Sequence, residues 1–84
     1  AVDNTFATPF IQRPLECGAD IVHHSASKYL GGHCDVIAGA LIWKNPDLTE
    51  QIRLSHYGVG GTLGPFESWL VLRGIKAVHV RMER

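Results

Sequence analysis

Apolar and polar positions along the 84 residues fall into short blocks whose period changes from strand-like to helix-like and back. Ala1 to Asp3 is expected to end a strand, with a polar turn at Asn4-Thr5 and then Pro9, where ladder pairing is interrupted. Gln12 to Cys17, with Pro14 in a first helical turn and Gly18 just past the last, predicts a short helix. Asp20 to His24 places Ile21 and Val22 in a buried strand. Ser25 to Asp35, small and polar with a Gly31-Gly32 pair, predicts a loop. Val36 to Trp43, rich in Val and Ile around Gly39 and Ala40, predicts a second buried strand. Asn45-Pro46-Asp47 sets a cap, a first-turn proline and an acidic residue in the order a helix start prefers, so a helix is expected to about His56. Glycines between Tyr57 and Pro65 end it, and Pro65 opens a last helix from Phe66 to about Arg84. Strands alternating with helices make the chain α/β.

The last helix carries Phe66, Trp69, Leu70, Leu72, Val78 and Met82 on nearly all its faces, a distribution that implies burial within a larger assembly. A chain of 84 residues buries a smaller fraction of its surface than a typical domain. It also begins at Ala1 without an initiator Met and stops at Arg84 without a closing Gly or Pro. The expectation is one partial domain, residues 1–84, incomplete at both ends.

Composition narrows the partner. With 45% hydrophobic and 19% charged residues and a formal net charge of +0, nothing marks the chain for nucleic acid or an anionic membrane. A small molecule or another subunit is expected instead. The two cysteines, Cys17 and Cys34, form no CxxC motif, so a reduced, cytoplasmic protein is the default. The apolar run Val36 to Trp43 is too short to span a bilayer.

Candidate chemistry concentrates at two predicted strand ends. Asp3 stands where ligands of open α/β sheets bind, although an Asp there also serves simply to start a turn. Ser25-Ala26-Ser27-Lys28 follows another strand end. A lysine beside hydroxyls can hold a phosphate or form an imine with a carbonyl, and it can equally be an ordinary solvated lysine. Its setting between Val22, Leu30 and Val36 is apolar, which an ordinary surface lysine does not need. Gly31-Gly32-His33-Cys34-Asp35 offers adjacent metal ligands that cannot easily converge on one ion, so no metal is expected. His23-His24 fits one buried and one facing strand residue, and Gly58, Gly60 and Gly61 lack the Lys-Ser/Thr of a P-loop. Arg73, Lys76, Arg81 and Arg84 suit the solvated face and negative end of a helix.

Taken in order, Val2-Asp3-Asn4-Thr5-Phe6-Ala7-Thr8-Pro9, Pro14-Leu15, Gly18-Ala19-Asp20-Ile21-Val22 and His24-Ser25-Ala26-Ser27-Lys28-Tyr29 closely resemble the Cys/Met-metabolism enzymes that use pyridoxal 5'-phosphate (PLP). Gly32-His33-Cys34-Asp35-Val36, Leu63-Gly64-Pro65-Phe66-Glu67, Leu72-Arg73-Gly74-Ile75-Lys76 and Val80-Arg81-Met82 extend the likeness over essentially the whole chain. Ser27 stands where that family often has Thr, Cys34 where Ser is frequent, and Ala77 where Thr is frequent.

The resemblance implies the fold type I, aspartate-aminotransferase-like architecture, with this chain as part of its PLP-binding large domain. It implies Lys28 as the lysine of the internal aldimine and Asp3 facing the ring nitrogen. A carboxylate there favours the protonated ring, which then draws electrons from the substrate α-carbon. By the same resemblance Ser25 and Ser27 hold the phosphate, Thr5 supports Asp3 or the ring, and the freed Lys28 amine takes the α-proton. The implied activity is elimination or replacement at Cγ or Cβ of cystathionine, methionine or an activated homoserine, with the cystathionine γ-lyase or γ-synthase type favoured. The implied assembly is a homotetramer. An aminotransferase of the same fold type, or an inactive partial chain, stands as the alternative.

Overall fold

The computed structural model describes residues 1–84. Strands β1 (Val2–Asp3), β2 (Ile21–Ser25) and β3 (Gly39–Trp43) form one sheet in the order β1-β2-β3. β1 runs parallel to β2, with Val2 opposite Val22 and Asp3 opposite His23. β3 runs antiparallel, pairing Ile21 with Trp43 and Ser25 with Gly39. Parallel pairing of β1 and β2 brings Asp3 and Ser25 to the same edge of the sheet. The β2 to β3 connection, which leaves from that edge, carries Lys28 three residues after Ser25.

Between β1 and β2 lie a helix α1 (Thr8–Ile11) and a 3-10 turn at Pro14–Cys17. The helix expected over Gln12–Cys17 therefore starts later and winds tighter. The cause is Pro14: its ring disfavours helical backbone at the residue before it, and Arg13 sits at φ −121, ψ 85. Gly18 closes the turn at φ 97, as its placement predicted.

Strand β3 starts at Gly39 rather than Val36, because Val36 and Ala38 turn inward to the core before the ladder begins. It is also not a buried strand. Leu41 and Ile42 are 51% and 41% exposed. One face of the sheet, with Ile21, His23, Leu41 and Trp43, forms an open groove against Ile52 and His56.

A 3-10 turn at Pro46–Leu48 leads into α2 (Thr49–Val59), and Asn45 caps the entry by accepting the Asp47 N–H at 3.0 Å. The indole N–H of Trp43 donates to the Thr49 hydroxyl at 3.0 Å, which ties β3 to this helix. α2 continues past His56 through Gly58 and ends at Gly60, φ 79.

The single last helix expected from the sequence is two, α3 (Pro65–Ile75) and α4 (Val78–Met82). The ladder tightens where Ala77 N–H donates to Gly74 O at 3.2 Å, and Gly74 is a weak helix former. The core (Ala26, Leu30, Val36, Ala38 and Leu70, flanked by Val71 and Val78) lies between the Lys28 turn and α3–α4. The molecule is a plate of 37 × 32 × 15 Å, with a radius of gyration of 13.3 Å against about 12 Å for a compact domain of this length. Phe66, Trp69 and Leu72 on α3 remain largely exposed.

Candidate functional site

The site is built from the edge where β1 and β2 end together. The Asp3 carboxylate emerges there into solvent. One oxygen, Oδ1, accepts from the Thr5 hydroxyl at 2.5 Å and from the Thr5 N–H at 3.0 Å. The Thr5 hydroxyl, the Thr5 N–H and, more weakly, His23 hold this carboxyl below the usual carboxylate range. Oδ2 lies 3.4 Å from Nδ1 of His23 and stays open to a further donor. Asp3 is thus an ionised acceptor with one oxygen fixed and one available.

Thr5 is buried and links the two strands. Its hydroxyl donates to Asp3 and accepts the Ser25 N–H at 2.8 Å. It supports Asp3 rather than facing solvent itself.

From Ser25 the chain enters a compact turn. Lys28 N–H donates to Ser25 O at 3.1 Å, Gly31 N–H to Ala26 O at 2.8 Å and Gly32 N–H to Lys28 O at 2.8 Å. Ala26 and Leu30, two residues to either side of Lys28, are 1% and 8% exposed and belong to the core, whereas Lys28 is exposed. Burying Leu30 contributes on the order of 1.5–3 kcal/mol, so the turn is anchored from beneath. A lysine on such a mount is held at its backbone and free at its amine.

The two serines differ. Ser25 makes no side-chain hydrogen bond within the chain, which leaves its hydroxyl for a ligand. Ser27 is a strut: its Oγ accepts the Ala38 N–H at 2.9 Å and donates to Ala38 O at 3.3 Å. The second bond is at the long limit for a hydroxyl. Its hydrogen can therefore turn to another acceptor while the first bond holds.

As a donor set the edge suits PLP. It offers a carboxylate for a pyridinium N–H, an amine for an aldehyde, and hydroxyl donors for a phosphate.

Three further features gain their detail from the structure. His24 is buried at 3% exposure, its Nδ1 makes no hydrogen bond, and burial together with the neighbouring His23 lowers its pKa from 6.5. It is a neutral imidazole behind the edge. Arg73 pairs with Asp35 at 2.5 Å and lies over the Trp69 ring at 5.5 Å, a contact that residues 38 apart in sequence do not announce. Arg81, read from the sequence as a solvated helix charge, instead turns back onto the Lys28 turn and donates to the carbonyls of Tyr29, Leu30 and Gly74. No helical spacing rule places it there. His33, from the Gly-Gly-His run, is tied locally to Gly31 O at 2.8 Å.

Comparison with known proteins is consistent along the whole length. The sequence model of the Cys/Met metabolism PLP-dependent enzymes matches residues 1–84. A cystathionine gamma-lyase of Bacillus subtilis (strain 168) is 54% identical over 82 residues, covering 98% of this chain and 22% of that protein. A cystathionine beta-lyase of Lactococcus lactis subsp. cremoris (strain MG1363) is 55% identical over 82 residues, with the same coverage of 98% and 22%. The crystal structure of cystathionine gamma-lyase from Lactobacillus plantarum complexed with L-serine superposes with a TM-score of 0.90 at 51% identity, over 94% of this chain and 21% of that one. The chain spans about a fifth of the length of the relatives it matches. The α/β arrangement is that of fold type I. No helix is long and apolar enough to cross a membrane.

Proposed function

The chain belongs to the Cys/Met metabolism PLP-dependent enzymes, and on that premise we propose that it is part of the cofactor-binding large domain of a carbon–sulfur lyase or γ-replacement transferase. The substrate class is cystathionine, methionine or an activated homoserine. The observation that carries this reading is the shared edge: parallel pairing sets Asp3 beside the end of β2, and Lys28 follows three residues after Ser25.

In this reading Lys28 Nζ would anchor the PLP aldehyde, the Asp3 carboxylate would receive the ring N–H, and the Ser25 and Ser27 hydroxyls would donate to the phosphate. Bound there, PLP supplies an electron sink that stabilises negative charge at the substrate α-carbon. Thr5 keeps Asp3 ionised and aimed. The Lys28 amine would also serve as the base that accepts the substrate α-proton and returns a proton further along the chain. The leaving group, sulfur in cystathionine or methionine and the ester oxygen in an activated homoserine, would depart with the bonding electron pair. One side chain serves as anchor and base, and the rigid turn beneath it keeps both positions within reach.

The γ-lyase and β-lyase relatives are 54% and 55% identical, so overall likeness does not choose between cleavage at Cγ and at Cβ. The products do. Cystathionine given to the intact protein yields ammonia with 2-oxobutyrate and cysteine from γ-cleavage, or ammonia with pyruvate and homocysteine from β-cleavage. An activated homoserine with cysteine yields cystathionine if the enzyme is a transferase. Silence with all of these, and no 2-oxobutyrate from methionine, in a protein loaded with PLP would overturn the proposed substrate class. The exposed apolar side of α3 supports a homo-oligomer, which light scattering on the intact protein tests; a monomer would refute it.

A further inference from the structure

The turn that carries Lys28 resembles one and a half windings of helix that stop short. Its own amides satisfy the carbonyls of Ser25, Ala26 and Lys28, while those of Tyr29 and Leu30 have no partner inside the turn. Carbonyls at such an end need an external donor. Arg81 supplies it from α4. Nε and Nη2 donate to Tyr29 O at 2.9 and 2.7 Å, and Nη2 reaches Leu30 O at 3.0 Å and Gly74 O at 2.6 Å. The guanidinium thus joins the end of the Lys28 turn to the α3–α4 junction, across more than fifty residues of sequence.

Two glycines make room for it. Gly32, at φ +76, lies so close to the guanidinium that an added Cβ would sit 2.6 Å from Arg81 Nη1. Gly74 packs directly on Gly31, and a Cβ there would fall 2.7 Å from the Gly31 carbonyl carbon. Side chains at either position would push the latch open. A lysine could not replace it, because a single ammonium lacks the planar fork that reaches several carbonyls at once.

We propose that Arg81 is a positioning residue for Lys28: its guanidinium locks the Ala26–Gly32 turn in the shape that holds the Lys28 amine at the reacting edge. Arg81 touches the backbone immediately after Lys28 and neither the amine nor the edge, so it acts through the turn. This inference rests on the PLP reading for its consequence and stands apart from it for the latch itself.

Two readouts in the intact protein keep these separate. The first is hydrogen exchange of the peptide spanning the turn in cofactor-free protein, for wild type, Arg81→Lys and Arg81→Met. The Gly31 and Gly32 amides are expected to exchange at least tenfold faster in the Met variant, with the Lys variant between. The second is the rate at which hydroxylamine strips PLP from the loaded protein, together with the pH midpoint of its visible band. Stripping is expected to be at least tenfold faster in Arg81→Met, the midpoint to move, and methylguanidinium to restore both in part. Unchanged exchange in both variants would overturn the latch. Faster exchange with wild-type stripping and midpoint would make Arg81 merely structural and overturn its positioning role. If Arg81→Met does not fold, Arg81→Lys decides by the same criteria. A wild-type protein that takes no PLP on Lys28 would instead refute the functional reading, and the positioning role with it, while the exchange result would still judge the latch.

Discussion

One substitution made at two glycines should act with opposite sign. At Gly58, inside α2, an added Cβ meets nothing within 4 Å. Alanine there replaces a residue with large backbone entropy by the best helix former and is worth up to about 1 kcal/mol of added stability. At Gly74 the same methyl lands against Gly31, 2.7 Å from its carbonyl carbon. Carbon–carbon contacts settle at about 3.5–4.0 Å, so the two backbones must part by about 1 Å or more. Both are main chain and cannot rotate aside. Overpacking of this kind costs about 1–3 kcal/mol, and the separation also stretches the Arg81 bonds to Gly74 and Tyr29. Thermal melting of the cofactor-free intact protein at one scan rate checks the pair. Gly58→Ala should melt at or slightly above wild type, and Gly74→Ala several degrees below it with faster exchange in the Lys28 turn. A Gly74→Ala protein that melts with wild type would refute the close approach of α3 to that turn.

Thr5→Val removes the hydroxyl that holds the Asp3 carboxyl low, so the Asp3 pKa rises. A carboxylate with a depressed pKa keeps its function above that pKa and loses it as pH falls, so the acid limb of PLP binding should move to higher pH in Thr5→Val and stay near wild type in Thr5→Ser. His24 titrates below its unfolded value of 6.5, so the folded state resists its protonation. Its contribution is fully present above about pH 6.5 and declines on acidification, and His24→Leu should flatten the fall in melting temperature between pH 7.5 and 5.5. Arg73→Ala breaks a pair with Asp35 that is partly solvated, and its melting shift should correspond to no more than about 1 kcal/mol and shrink in high salt.

The elements that local chemistry controls were legible in the sequence. Asn45-Pro46-Asp47 starts its helix, Gly18 ends its turn, and the strand expected over Asp20–His24 forms at Ile21–Ser25. What escaped depended on partners distant in the chain. Val36 and Ala38 left the predicted strand because they face Leu30 and Leu70. The last helix broke after Gly74, which packs against Gly31. Arg81 turned inward because the Tyr29 and Leu30 carbonyls needed a donor. Asp3 stood out at a strand end and Lys28 just past one, and the family likeness supplied the roles proposed for them. Thr5 as the link between Asp3 and Ser25, and Ser27 as a strut to Ala38, required coordinates. Local rules set caps and periods, whereas which segments meet is decided by tertiary packing.

Lys28 is proposed as the covalent anchor for PLP. Reduction of the intact, PLP-loaded protein with borohydride, followed by proteolysis and mass spectrometry, tests it directly. One stable cofactor adduct is expected, on the peptide containing Lys28, and it should disappear together with the visible band in Lys28→Ala. An adduct on another lysine, or a band that persists in Lys28→Ala, would contradict it.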